Sequence, residues 1–379
     1  RLTTLRDHFG LSLLHVAAGQ SNIEILRKIL QSNPSMLLTP EDTHGELPIH
    51  AAATSPNGTS AMLELFMNAD ETKRSLYTPD FHGRLALHNV MRYGANPAKV
   101  TCLLKGDPSL KTLYATDAAG GLAMHYHCGP IAEDAVSILV GQDPTKDILR
   151  MATRQDGELP IHVHAREPKV ARVLLEADQP NRTTLLTPNA SGDLPLHAIV
   201  SSFQMTPDIV ELYAQLAPAA FGVAGDRAEL PLHRATRFTA PLSVVEAVLN
   251  AAPEYISSQD GSGNLTVHLA ATREARKFNC DGPTALLNFI IVEYPEGVKI
   301  PNAAGQYPIH AAADSIITAS TLPVLERLWQ AGSPLIDTKG EHLAHYLARH
   351  ANQIRSPERF LSPILKALLR VDPNSLRAK

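Results

Sequence analysis

The stretch Asp42-Thr43-His44-Gly45-Glu46-Leu47-Pro48-Ile49-His50-Ala51-Ala52-Ala53 reads as a tight turn feeding straight into a helix. Asp ahead of glycine is turn chemistry, because the carboxylate accepts nearby backbone N–H groups and glycine accepts a positive φ. Pro48 then stands at the first helical position, where its missing N–H costs nothing. The spacing is not confined to this stretch. A histidine five residues after a glycine recurs at Gly10–His15, Gly45–His50, Gly83–His88, Gly120–His125, Gly157–His162, Gly192–His197, Gly263–His268, Gly305–His310 and Gly340–His345, and Ala228 replaces the glycine ahead of His233. From His15 to His345 there are 330 residues in nine intervals, a period of about 37. A fixed period of roughly 20–50 residues marks a stacked repeat, and a stacked repeat argues for binding before catalysis.

Each copy has the same parts. Asp or Asn lies three residues before the glycine slot at Asp7, Asp42, Asp80, Asp117, Asn189, Asp260, Asn302 and Asp337. Proline precedes the histidine by two residues at Pro48, Pro160, Pro195, Pro231 and Pro308. Small residues follow (Ala17 and Ala18, Ala270 and Ala271, Ala311 to Ala313), which suits a short helix packed closely on its neighbours. A second helix comes next, with apolar residues at helical spacing such as Ile23, Leu26, Ile29 and Leu30. It stops near a proline in nine of the ten copies (Pro34, Pro108, Pro144, Pro180, Pro218, Pro253, Pro295, Pro334 and Pro373), since proline cannot continue a helix. Such a unit cannot bury its own apolar faces, so stability must come from stacking.

The chain resembles the ankyrin repeat family, whose signature sets Asp and Gly in a β-turn ahead of Thr-Pro-Leu-His. The matching tetrapeptides run Leu47–His50, Leu159–His162, Leu194–His197, Leu230–His233 and Tyr307–His310. Two departures stand out. Leucine fills the threonine slot at Leu47, Leu85, Leu122, Leu159, Leu194, Leu230 and Leu265, so no threonine–histidine bond forms there, and a proline-containing segment lengthens each unit. The resemblance implies an all-α, ankyrin-like solenoid of about ten turn–helix–helix repeats, read as one array over residues 1–379. Long inter-helix loops are expected at 273–283 and 349–357.

Bulk properties exclude other classes. With 34 basic and 38 acidic residues the net charge is −4, which gives no global footprint for nucleic acid. The densest apolar run, Ala285 to Val292, is far short of a membrane span and reads as a buried helix. Three scattered cysteines, Cys102, Cys128 and Cys280, argue against a disulfide framework and for an intracellular, cytoplasmic setting. No elbow serine, phosphate loop or kinase signature is present, so no catalytic residue and no cofactor is expected. The additional histidines His127 and His164 beside Cys128 raise a zinc reading, but equivalent positions on helices about 8–10 Å apart do not share an ion. They read as polar residues in alanine slots, and no metal is expected.

A residue needed in every unit serves the unit. His15, His50, His88, His125, His162, His197, His233, His268, His310 and His345 are therefore expected to bond backbone groups at the helix start. The family resemblance places partner contacts on the concave face of the solenoid, at hairpin tips and on the exposed face of first helices. By position these are Phe81, His82, Arg84 and Arg227 at the tips. Arg92, Tyr93, Arg166, Arg237, Phe238, Arg273 and Arg349 follow the repeat histidine. The basic excess from Arg349 to Lys379 reads as a solvated face. The apolar first and last units suggest a piece of a longer array, or ends covered by other subunits. The expected function is a non-catalytic scaffold or adaptor for partner proteins, without a small-molecule substrate. The alternatives are the regulatory part of an enzyme whose catalytic domain lies outside these residues, and a structural subunit of a large assembly.

Overall fold

The computed structural model describes residues 6–8, 10–20, 22–126, 132–178, 182–238, 240–275, 284–315 and 321–349. These residues form α-helices and short 3-10 turns, and the only strand-like pairings among them are three isolated bridges. The chain falls into two compact units, Arg1–Ser191 and Gly192–Lys379. In the first, the helix pairs are Leu13–Gly19 with Ile23–Ser32, Pro48–Thr54 with Ser60–Ala69, and Ala86–Arg92 with Pro97–Gly106. Among the described residues, repeat 4 opens with a 3-10 turn, Ala123–His125, before Ala132–Gln142. Repeat 5 opens with Pro160–Val163, tightens to a 3-10 turn over His164–Arg166, and continues in Pro168–Ala177. The second unit pairs Pro195–Val200 with Pro207–Leu216, Pro231–Arg237 with Leu242–Ala251, Thr266–Ala275 with Ala285–Glu293, and Pro308–Ala313 with Thr321–Gln330. The first helix of repeat 10, Leu343–Arg349, ends the described chain, so most of the loop expected at 349–357 and residues 276–283 of the other long loop lie outside the described residues.

Every proline read as a helix start occupies the first residue of a helix. Both helices of a pair turn one stripe inward. Leu14, Ile49, Leu87 and Leu196 from first helices are fully buried, as are Leu26, Leu63, Phe66 and Leu103 from second helices. The Ala285–Val292 run does form a helix, with Leu286, Leu287, Ile290 and Ile291 buried, but Val292 lies outward.

The turn follows from its chemistry. Asp80 Oδ1 accepts the N–H groups of His82 and Arg84, both at 2.8 Å, while Gly83 N–H donates to Asp80 O. Asp117, Asp260, Asn302 and Asp337 repeat the arrangement. Repeat 2 differs. Glu41, one residue earlier than the expected Asp42, accepts from Thr43 at 2.6 Å and from Glu46 at 3.3 Å, and Asp42 is exposed and pairs with Arg6 at 2.7 Å. The longer glutamate side chain spans a turn that is one residue wider. Successive hairpins are stitched by backbone: Phe81 N–H donates to His44 O at 2.7 Å and Ala118 N–H to His82 O at 2.9 Å. Each glycine slot has φ between 63° and 86°, and Ala228 adopts 53° in the same place.

Behind the second helices the proline stops divide into two kinds. Pro34, Pro218, Pro253 and Pro295 open five-residue 3-10 turns. In repeats 2 to 5 a buried aspartate takes over. Asp107 Oδ2 accepts from Thr112 N–H at 2.7 Å and its hydroxyl at 2.9 Å, while Tyr77 from the preceding repeat donates to Oδ1 at 2.8 Å. Asp143 receives Tyr114 in the same way at 2.8 Å. Burial alone would raise these carboxyls; the converging donors outweigh it and hold both below the usual carboxylate range.

The repeat histidines join cap to neighbour. Nδ1 accepts the backbone N–H three residues earlier, from Leu47 to His50 at 2.9 Å, Leu122 to His125 at 2.9 Å and Leu194 to His197 at 3.0 Å. A backbone N–H can only donate, so the imidazole proton sits on Nε2. That nitrogen donates to a carbonyl of the next repeat: His15 to Glu46 at 2.8 Å, His50 to Arg84 at 3.1 Å, His125 to Glu158 at 3.1 Å and His268 to Gln306 at 3.1 Å. His310, which follows Tyr307 in place of leucine, keeps its Nε2 bond to Leu335 O at 3.1 Å, but its buried Nδ1 has no partner among the described residues. His345 accepts its cap N–H at 3.2 Å and is exposed.

Two expectations follow. Ala228→Gly is expected to raise stability by about 1 kcal/mol, because a left-handed alanine is strained and a left-handed glycine is not. Gly83→Ala is expected to lower it by more, since its Cβ would stand 2.7 Å from Ala118 N at that positive φ; urea unfolding of both variants checks the pair. The second concerns acid. An unfolded histidine titrates near pH 6.5, whereas burial pulls His50, His125 and His268 down to about 4 and also lowers His15, His88, His197, His233 and His310. Between those values the unfolded chain binds more protons, so the stability is complete above about pH 6.5 and drains away as pH falls towards 4. Glu46, Glu158 and Glu229, raised by burial, act in the opposite sense but are fewer. Chemical denaturation between pH 7 and 4.5 measures the slope, and a flat profile would contradict this account.

Candidate protein-binding surface

The residues expected to meet a partner divide into exposed and committed. At the tips, Phe81 is 69% exposed with its ring lying over Gly45 of the preceding hairpin, and His82 is exposed beside it. Arg227 is exposed at the tip of repeat 7, within 3.6 Å of Asp226. Along the first helices, Arg92 and Arg166 are exposed, Tyr93 is 53% exposed and Phe238 is 42% exposed. Arg349 is exposed and pairs with Glu341.

Three expected contacts are used inside the fold. Arg84 is buried, its Nε bonded to Asp80 at 2.8 Å, so it braces the turn rather than facing outward. Arg273 donates to the carbonyls of Ala235, Thr236 and Ala240 at 3.3, 3.1 and 2.7 Å, where the first helix of repeat 7 ends. A cation there meets carbonyls that lack helical partners and the negative end of the helix dipole. Arg237 is half-buried, 2.5 Å from Glu229 and 3.0 Å from Asp260, in a network that also holds Arg234 and Asp193 at 2.8 Å.

The surface also contains residues that sequence reasoning passed over. Lys99, only 4% exposed, caps the first helix of repeat 2 as Arg273 caps that of repeat 7, donating to Ala52, Ala53 and Ser55 carbonyls at 3.2, 3.0 and 2.7 Å. Tyr126 bonds Asp117 at 2.5 Å and lies edge-on to His88. Phe203, 66% exposed, sits between the two helices of repeat 6. The signal for Tyr126 was present: it follows the repeat histidine directly, as does Tyr346, which bonds the turn aspartate Asp337 at 2.7 Å.

Charge and aromatic surface meet at repeat 3. The Arg92 guanidinium lies 5.5 Å from the centre of the Tyr93 ring and 5.7 Å from that of Tyr126. In repeat 7, by contrast, it is Arg234 that stands over Phe238, at 5.7 Å, and its charge is already matched by Asp193 and Glu229. Elsewhere, a cavity of about 550 Å³ opens among Glu64, Tyr77, Cys102 and Lys105, on the second helices and following loops of repeats 2 and 3. Burial pushes the Cys102 thiol up to about 11, which leaves it unreactive at neutral pH.

Of the paired extra histidines, His164 is buried, with Nε2 at 2.8 Å from Met124 O and Nδ1 at 3.4 Å from Glu167. His164 thus reaches a carbonyl within the 3-10 turn that opens repeat 4. His127, Cys128 and Cys280 lie outside the described residues, and among those described no group of three His, Cys, Asp or Glu side chains could hold a metal. No described helix is long and apolar enough to cross a membrane.

The two kinds of arginine are separable by stability. Arg273→Ala leaves three carbonyls without their charged donor and is expected to cost about 2 kcal/mol; Arg92→Ala is expected to stay within about 0.5 kcal/mol of the parent. Thermal and urea unfolding distinguish them.

No family model matches the chain, and no curated protein matches it in sequence. Among solved structures it is similar to the ankyrin repeat domain of Bcl-3, described as a unique member of the IkappaB protein family. That likeness has 17% identity and a TM-score of 0.46, over 63% of this chain and 98% of that one. The described residues themselves repeat a glycine turn, a histidine-capped first helix and a packed second helix, an all-α, ankyrin-like repeat fold.

Proposed function

We propose that the chain is a non-catalytic scaffold that holds partner proteins on its hairpin tips and first-helix ends. Ankyrin-type repeats generally mediate protein–protein contact, and the reading here rests on one observation. In repeat 3, Phe81 and Tyr93 are exposed while Arg92 stands between two aromatic rings. Exposed aromatics are costly to leave in water, and arginine with tyrosine is the composition of interface hot spots. The rigid support matters as well. Phe81 is held by a backbone bond to the preceding hairpin, and Tyr126 by Asp117, so little side-chain order remains to be imposed on binding.

Crosslinking mass spectrometry on the protein enriched from its native source tests the reading, with Phe81→Ala, Arg92→Ala and Tyr93→Ala combined in a parallel capture. Arg237 is left in place, because removing it would strand Glu229 and Asp260. A stoichiometric protein crosslinked near residues 81–93, and lost in the triple variant, is the expected result. Capture that is indifferent to the three changes would locate binding elsewhere, and absence of any stoichiometric protein would overturn the scaffold reading.

A further inference from the structure

In three repeats, the side chain just after the glycine slot touches the one eight residues later, at the end of the first helix. Glu229 lies 2.5 Å from Arg237 in repeat 7, Gln306 donates to Asp314 at 3.2 Å in repeat 9, and Glu341 pairs with Arg349 in repeat 10. Where the first helix runs its full length the fold brings these two positions together; in repeat 5, where a 3-10 turn over His164–Arg166 replaces the helix end, Glu158 and Arg166 form no ion pair among the described residues. In repeat 3 they are Arg84 and Arg92, two like charges. Arg84 turns inward to Asp80, and Arg92 is left exposed with no ion pair among the described residues. The carboxylate that the fold supplies to the equivalent arginine in repeats 7 and 10 is missing here.

We propose that a partner protein supplies it: an acidic segment bearing an apolar residue docks on repeat 3 and sets a carboxylate against Arg92. This deepens the scaffold reading and rests on it. A guanidinium over aromatic rings keeps its N–H edge for a carboxylate, which it can grip through two parallel bonds. The exposed Phe81 and Tyr93 receive the apolar neighbour. The surroundings select against a polyanion. Glu46, Asp80 and Asp117 lie on the same three repeats and the chain is net −4, so one carboxylate is welcome where a phosphate chain is repelled.

The test begins with random short peptides displayed on phage and selected on the whole chain. Affinities of the enriched peptides are then measured by fluorescence anisotropy for the parent, Arg92→Ala and Arg84→Glu. The second substitution gives repeat 3 the acid pattern of repeat 10, where Asp337 and Glu341 already coexist, and so offers Arg92 an internal partner. Circular dichroism establishes that both variants are folded. Expected are peptides with Asp or Glu beside a bulky apolar residue, whose affinity falls about tenfold on each variant. Peptides lacking an acid, or indifferent to both changes, would overturn the carboxylate docking while leaving the binding surface intact. Failure to enrich any peptide, together with failure to capture a native partner, would remove both readings. A single-stranded oligonucleotide that binds more tightly than the peptides, and needs Arg92, would replace the protein segment with a nucleic acid.

Discussion

Most repeats hang on an imidazole that works in two directions. Nδ1 takes a backbone N–H that would otherwise be orphaned at the helix start, and Nε2–H meets a carbonyl in the following repeat. Buried, neither atom could be left without a partner cheaply. One side chain therefore fixes the start of its own helix and the distance to its neighbour. The glycine turn brings that neighbour's carbonyl into range, and the small residues after the histidine let the helices close over it. With seven leucines in the threonine slot, the backbone N–H carries what a hydroxyl would share; Ser12, one of three departures from leucine, brings its Oγ to 2.7 Å from His15 Nδ1.

A second fastening runs behind the second helices of the first unit, where aspartates follow the helix ends. Asp107 and Asp143 gather donors from their own loop and from a tyrosine of the repeat before, so the bond crosses a repeat boundary far from the histidine. The loop demands a left-handed residue, supplied by Lys73, Leu110, Lys146 and Arg182 with φ from 47° to 59°. That strain is stabilised by the carboxylate's bonds. In the second unit the prolines of repeats 6 to 8 do the same task with a 3-10 turn, a stiffer solution that needs no buried charge.

The features that recur at one period were plain in the sequence, because local chemistry alone sets them: glycine for positive φ, proline for the helix start, histidine for the cap. What stayed hidden depends on partners far away along the chain. Arg84 and Arg273 look like any surface arginine until Asp80 and three carbonyls are placed beside them. Lys99 finds its carbonyls more than forty residues back, a distance no local pattern encodes. Repeat 2 recruits Glu41 rather than Asp42 because its turn is wider, which is a matter of geometry rather than of motif. Arg92 shows the reverse case: its exposure was legible, but its missing acid appears only when repeats 7 and 10 reveal where an acid belongs.

Within each compact unit the described histidine bonds point one way, from a cap to a carbonyl that follows it in the chain. A repeat that makes this bond contributes one donor to the repeat after it and takes one from the repeat before. Where successive caps bond the same carbonyl, as from His15 to His125, copying or deleting a whole repeat leaves that count closed, because the new neighbours present the same donor and the same acceptor. Length becomes a quantity that gene duplication can change without repairing the interior. A half-unit change has no such freedom, since it strands an imidazole or a carbonyl in the core.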